Sequence, residues 1–245
     1  MGLPTQAAWQ NVLAISGFTI AGGWLVVHAT KLLAGRTLPL VGAIAMCGLL
    51  ACWTFYVVFG LTAFVLSLCL GWALLVLAIV DWLEFRLPDV LTLPLTLAGL
   101  MAAAILPSTD SLDGTIAVAI RAGLALVRSA PNPSALAVMA RTADHAAAAA
   151  AAYAVLFAIA WLYRRLRAKE GMGLGDAKLA AAAGAWLGFA PLPSVLFLAS
   201  MAGIVWVLVA GAARGKDALS QRIPFGVPLS FAIWIVWLYG PFVAA

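Results

Sequence analysis

The sequence predicts an all-α, polytopic transmembrane helical bundle of about eight spans, one integral membrane domain over residues 1–245. Three observations carry this expectation. Hydrophobic residues fill 65% of the 245 positions, and the mean hydropathy is +1.09. Only 9% of residues are charged, where a soluble domain carries about a quarter. The apolar residues also gather in runs of roughly 20, the length that crosses a hydrocarbon core of about 30 Å. Such a composition excludes an ordinary cytosolic enzyme and a disordered regulator. It also argues against a nucleic-acid partner, because the net charge of +5 is scattered between apolar runs instead of clustered on a solvated face.

Apolar stretches fall near 9–30, 40–59, 61–80, 90–107, 145–163, 174–190, 193–213 and 223–243. The first has no basic segment before it and reads as a span, not as a cleavable leader. The block 40–80 is too long for one crossing and is divided at Gly60 by a tight turn. Residues 146–152 are seven alanines, the best helix former, suited to a closely packed span. The stretch 174–190 is rich in Ala and Gly, as expected of a helix surrounded by other helices with little lipid contact. Between the fourth and fifth spans lies one long connection, 108–144, broken by Pro131 and Pro133. Its middle, Ile116 to Val127, reads equally as a short helix lying on the outer leaflet or as a loosely ordered periplasmic loop. Cys47, Cys52 and Cys69 all lie in apolar runs without CxxC spacing and read as small buried hydrophobes.

Basic residues divide unevenly between the two sides. One side receives Lys31, Arg36, Arg86, Arg164, Arg165, Arg167, Lys169, Lys178, Arg214, Lys216 and Arg222, and the other only Arg121, Arg128 and Arg141. Cytoplasmic loops carry the excess of Lys and Arg, so the first side is expected to be cytoplasmic and the N-terminus outside.

Nine acidic residues are few enough to weigh singly. Asp110, Asp113, Asp144 and Asp217 read as solvated loop residues, and Glu84 as a solvated turn residue. Asp81 and Asp176 differ. Asp81 ends the apolar run Leu74 to Val80, and Asp176 opens a helix after the glycine-rich turn 171–175. Both fall at the cytoplasmic ends of spans. Either one alone reads as well as a helix cap.

Their surroundings point further. Asp81 is followed by Trp82-Leu83-Glu84-Phe85-Arg86-Leu87-Pro88-Asp89, and Asp176 stands in Gly173-Leu174-Gly175-Asp176-Ala177-Lys178-Leu179. The sequence here resembles the type IV prepilin peptidase family, whose signatures are an Asp followed by a Leu/Ile-Pro-Asp/Asn step and a G-x-G-D-x-K-L box. A third stretch, Arg222-Ile-Pro-Phe-Gly226-Val-Pro, is similar to the family's Pro-Phe-Gly segment before its last helix. The resemblance covers roughly residues 65 to 240 and divides the chain into N-terminal spans at 1–64 and a prepilin-peptidase-like region at 65–245. The presenilin-like group shares GxGD but pairs it with a Tyr-Asp motif, whereas here Asp81 follows Val80.

The resemblance implies a membrane-embedded aspartic endopeptidase of the bacterial inner membrane, with Asp81 and Asp176 catalytic and with no cofactor or metal. Its implied partner is a prepilin or a type II secretion pseudopilin, with a basic leader, a Gly at the cut and a hydrophobic helix. The chemistry is coherent. Without a nucleophilic side chain, amide hydrolysis needs an activated water, which two carboxylates sharing one proton supply. Gly173 and Gly175 are expected to leave room for a substrate backbone beside Asp176. Lys178 is expected to pair with a substrate carboxylate or a lipid phosphate, or to snorkel to the interface. Pro88 sets the turn after the helix of Asp81, and Asp89 caps the next helix.

Bifunctional members of the family carry a large cytoplasmic insertion after the first span, often with paired CxxC motifs, associated with N-methylation. The corresponding segment here, Lys31 to Pro39, has no cysteine, so methyl transfer is not expected. A proton- or cation-coupled transporter using the same aspartates is the alternative. It would place acids near mid-span and broken helices in paired halves of the chain. Membrane lipids are a further expected partner: leader and enzyme face are both basic, so anionic lipids are needed to hold them together, at about 1 kcal/mol per basic residue near the surface.

Overall fold

In lipid, a backbone polar group must find its partner within its own segment, so long apolar runs with breakers only at their ends fold as helices. The computed structural model describes residues 6–58, 60–105, 133–167, 173–214 and 224–242, and among these it contains eight helices. They are α1 (Gln6–Ala34), α2 (Leu40–Val57), α3 (Leu61–Glu84), α4 (Asp89–Ile105), α5 (Pro133–Arg167), α6 (Leu174–Leu187), α7 (Leu192–Arg214) and α8 (Gly226–Tyr239). The chain is an all-α, multi-pass membrane bundle.

Five of the helices, α1, α2, α3, α5 and α7, are long and apolar enough to cross a membrane. The other three helices of the bundle are shorter. Helix α4 has 17 residues, and α6 and α8 have 14 each. At 1.5 Å per residue, 14 residues reach about 21 Å, less than the hydrocarbon thickness.

Several boundaries also move, each for a local reason. Helix α3 continues one turn past Asp81 to Glu84, because nothing breaks it before the segment that leads into Pro88. Phe85 then closes it in the left-handed conformation, φ 53° and ψ 35°, with its N–H on the Asp81 carbonyl at 2.9 Å. Glu84 is thus the last residue of a helix and half-buried, not a solvated loop residue. Helix α5 begins at Pro133, well before the expected start at 145. Proline at the first helical position lacks only an N–H that would have no intrahelical partner. As a result Asp144, expected in a solvated loop, is a helical residue only 3% exposed. Its Oδ2 lies near the Gly188 turn beside His145, whose Nδ1 is 2.9 Å from the Ala185 carbonyl. The expected outer-leaflet helix at 116–127 and the acids Asp110, Asp113 and Asp217 lie outside the described residues. The turn at Gly60 has φ 96°, which suits glycine. Of the cysteines only Cys47 is buried, while Cys52 and Cys69 lie on outward faces of α2 and α3.

Helix α6 is the centre of the bundle. It packs against α4, α5 and α8, and ten of its 14 residues are buried. Two glycines allow the close approach. A Cβ on Gly184 would stand 2.5 Å from the Ala148 carbonyl carbon of α5. One on Gly99 of α4 would stand 2.9 Å from the α6 backbone at Ala185 and Trp186. The Trp186 indole N–H donates to the Leu95 carbonyl at 2.8 Å and fixes the register of α4 on α6. Helix α8 closes the core, with Trp234 on Gly71 of α3 and the Trp237 N–H on Ser67 Oγ at 2.8 Å. Leu70, Leu74 and Leu77 of α3 meet Leu179 of α6 and Leu229 and Ile233 of α8 in the main apolar cluster.

This packing has a measurable consequence. At Gly184 the opposing atoms are backbone and cannot swing aside, so Gly184→Ala is expected to cost about 1–3 kcal/mol, read as a lower thermal midpoint in detergent. Gly17 of α1 has nothing within 4 Å, and Gly17→Ala should leave the midpoint unchanged or raise it. Equal behaviour of the two variants would contradict the close α5–α6 contact.

Candidate active site

The end of α3, the start of α4, the start of α6 and the start of α8 meet at one end of the bundle, joined by the contacts of Leu87 with Gly175 and Gly226 and of Lys178 with Asp89. Asp81 comes from the last turn but one of α3 and is 4% exposed. Asp176 comes from the first turn of α6 and is 7% exposed. The two carboxyls are near enough to act on one another electrostatically. They are therefore brought together across 95 residues of sequence, at the same end of the molecule.

Each carboxyl meets the N-terminus of a helix. The backbone N–H groups of Gly226 and Val227, in the first turn of α8, reach the Asp81 carboxyl. This is the positive end of a helix dipole directed at an anion. The other oxygen, Asp81 Oδ2, is buried and makes no hydrogen bond among the described residues. Asp176 is the third residue of α6, after the extended N-cap Gly173 at φ −75° and ψ 148°. Its N–H donates to the Gly173 carbonyl at 3.2 Å, and its carboxyl turns back to the Gly173 N–H. That is the geometry of a capping residue reaching over the helix start. Asp176 therefore begins its own helix and lies within electrostatic reach of Asp81 at the same time.

Leu87 holds the two halves in register. A Cβ on Gly175 would stand 2.8 Å from Leu87 Cβ, and one on Gly226 would stand 3.1 Å from Leu87 Cδ1 and 2.8 Å from Asp81 Oδ2. Leu87, 8% exposed, is thus wedged between the starts of α6 and α8. The two glycines of the GxGD box have different surroundings. The room at Gly175 is filled by Leu87 and is not open beside Asp176. Gly173 is open: a Cβ there would meet only Asp176 Oδ2 at 3.7 Å and the Gly175 nitrogen at 3.9 Å.

The remaining motif residues form the rim. Pro88 precedes α4, and its carbonyl accepts the N–H groups of Leu91 and Thr92 at 3.1 and 3.2 Å. Asp89 is the first residue of α4, and Lys178 Nζ donates to its Oδ1 at 2.5 Å. Within the described chain Lys178 thus pairs with Asp89. The pair is partly exposed, which limits its contribution to about 1 kcal/mol or less, but it joins the first turns of α4 and α6. Among the described residues no group of three or more His, Cys, Asp or Glu side chains is arranged to hold a metal ion. Leu87 and the N–H groups of Gly226 and Val227 were not singled out from sequence. Their signal lay in Pro224-Phe-Gly226-Val-Pro228, in which prolines bracket a helix start.

The profile of the Type IV leader peptidase family matches residues 68–208, more than half of the chain and including both aspartates. The chain belongs to that family. A curated relative from Aeromonas salmonicida (strain A449), named prepilin leader peptidase/N-methyltransferase, is 35% identical over 174 residues, covering 71% of this chain and 49% of the relative. Relatives of the same name from Pseudomonas aeruginosa and Stutzerimonas stutzeri are 29% and 30% identical over 233 and 241 residues, covering 67% and 70% of their lengths. The matched stretch therefore spans about half of the Aeromonas protein. No solved structure matches the chain.

The site geometry makes its own prediction. Gly226→Ala presses a methyl group onto Asp81 Oδ2 and Leu87 and should cost about 1–3 kcal/mol, whereas Gly173→Ala meets only ordinary contacts. Thermal unfolding of both variants in detergent checks this, and equal midpoints would disprove the close approach at Gly226.

Proposed function

We propose that this chain is a membrane aspartic endopeptidase that removes the short basic leader from a type IV prepilin or a type II secretion pseudopilin, using a water held between Asp81 and Asp176. The observation that carries the reading is the buried pair itself: two carboxyls from motifs 95 residues apart, both buried and within electrostatic reach of one another in a membrane bundle. Membership of the family supplies the substrate class, since its relatives are named prepilin leader peptidases.

The reaction follows from the pair. Two adjacent carboxyls resist carrying two negative charges, so one proton is shared between them. The ionised member withdraws a proton from water while the protonated member gives its own to the carbonyl oxygen of the scissile bond. The water oxygen bonds to the carbonyl carbon and gives a tetrahedral intermediate. Its collapse breaks the C–N bond: the leaving nitrogen takes a proton from the pair, a hydroxyl of the intermediate returns one to the pair as the carbonyl re-forms, and the shared-proton state is restored. The α8 N-terminus limits the energetic cost of negative charge on Asp81, and the Gly173 N–H does the same for Asp176. The open face of Gly173 supports a substrate backbone passing beside Asp176.

The basic-residue partition supports an inner-membrane orientation with the N-terminus outside and this site facing the cytoplasm. The proposal covers the peptidase activity alone. The connection between α1 and α2 is residues 35–39 and contains no cysteine.

Asp81→Asn and Asp176→Asn are each expected to lower cleavage of a prepilin in proteoliposomes by about 10³-fold or more while the protein stays folded, because Asn keeps the shape and loses the proton exchange. Glu84→Gln, outside the pair, should cleave near the parental rate. Processing at the parental rate by Asp176→Asn would end the aspartic reading. Charge at the membrane gives a separate expectation. Cleavage should be faster in vesicles with anionic lipid than in neutral ones, and the advantage should shrink with salt. Equal rates, with extra leader charge accelerating cleavage in neutral lipid, would point instead to direct acidic recognition of the leader.

A further inference from the structure

A peptidase that cuts beside an apolar helix must admit that helix from the bilayer to Asp81 and Asp176, and the seams between its own helices are not equally tight. Glycine contacts bring backbones together between α4 and α6 and between α5 and α6, and Gly71 seats Trp234 between α3 and α8. Helix α7 is held differently. It packs chiefly on α8, and only 11% of the residues in its apolar stretch are buried, against 44% in α3. At the level of the site it meets α3 through one aromatic pair. Trp82, the residue after Asp81, and Trp206 of α7 pack edge to face with ring centroids 5.1 Å apart and planes at 90°. Both rings are about half exposed, 49% and 45%, so the contact closes the seam from its outer side.

We propose that the Trp82–Trp206 pair is a lateral gate between α3 and α7, through which the apolar helix of the substrate reaches the aspartates. The inference rests on the peptidase reading. Three features of the structure support it. Trp82 is the next residue of α3 after Asp81, so the pair lies at the same depth along the bundle as that carboxyl and a helix entering there arrives at the level of the site. Helix α7 can move away from α3 without breaking a glycine-mediated backbone contact, since its neighbour is α8 and Gly203 meets Phe225 only at 3.9 Å. An edge-to-face pair is also replaceable: the same ring faces can pack on an entering aliphatic helix, so opening exchanges one apolar contact for another. The gate selects by chemistry, admitting a single apolar helix whose polar leader remains outside the bilayer.

The test is a reversible lock. In a full-length background with Cys47, Cys52 and Cys69 replaced by Ala, Trp82→Cys and Trp206→Cys are bridged with a short, reducible bifunctional thiosulfonate, and the protein is reconstituted in vesicles. Two substrates are compared: a full-length prepilin, and a soluble peptide spanning the cut but lacking the apolar helix. Bridging is expected to slow prepilin cleavage at least tenfold, leave peptide cleavage within twofold, and be reversed by reductant. Unslowed prepilin cleavage by the bridged protein, or equal loss with both substrates, would overturn the gate. Should the double variant not fold, Trp206→Cys carrying in turn a methyl and a bulky thiol adduct gives the same comparison. The bulky adduct should slow the prepilin alone, and no difference between adducts would again overturn the proposal. Failure of the unbridged, reduced protein and its parent to cut either substrate would instead remove the peptidase reading, and the gate with it.

Discussion

Two buried carboxyls within electrostatic reach of one another set the constraint that the rest of the structure serves. Removing one ionised carboxylate from water is expensive, and placing a second beside it adds repulsion. Among the described residues this is met with peptide dipoles, not with a buried cation. The start of α8 faces Asp81, and the start of α6 is capped by Asp176 itself. Lys178, the basic residue of the GxGD box, is turned toward Asp89 at the rim. Peptide groups favour negative charge without neutralising it, so a proton can still move between the two carboxyls.

Bringing two helix starts to one place requires backbones to approach closely, and this explains where the glycines stand. Gly226 lets α8 come within contact of Asp81, and Gly175 lets α6 close on Leu87. Behind the site, Gly99 and Gly184 set α6 between α4 and α5. A methyl group at any of these positions would displace a backbone or a functional oxygen. Association of helices in lipid depends on packing because lipid tails are as apolar as the side chains, so small residues collect where the structure has to be rigid. The looser attachment of α7 is the counterpart of that rigidity.

Much of this was legible in the sequence. The eight helices follow from apolar runs and breakers, and the burial of α6 from its Ala and Gly content. The pair Asp81 and Asp176 stood out because acids are scarce in so apolar a chain. What stayed hidden depends on contacts between distant segments. Hydropathy cannot tell that α6 and α8 stop at 14 residues, since the flanking residues remain apolar enough to extend the window. Asp144 read as a loop residue because two prolines stand shortly before it, and Pro133 proves to be a helix start. Leu87 drew no reading of its own because its burial is made by Gly175 and Gly226, which lie 88 and 139 positions further along the chain.

The short helices and the paired acids are connected through water. Hydrolysis consumes a water molecule, and the hydrocarbon core holds almost none, so a site at mid-membrane would need its own channel. Helices of about 21 Å in a core of roughly 30 Å cannot reach both surfaces. The starts of α6 and α8, which build the site, therefore need not stand at the outer edge of the headgroups and can open to solvent from a recess at one end of the bundle. A transmembrane helix arriving beside α3 would bring its terminal residues to that level while the rest of its length stayed in lipid. On the proposed reading, a boundary position would serve two requirements that conflict elsewhere in the bilayer: water for the bond to be cut, and an apolar surrounding for the segment to be kept.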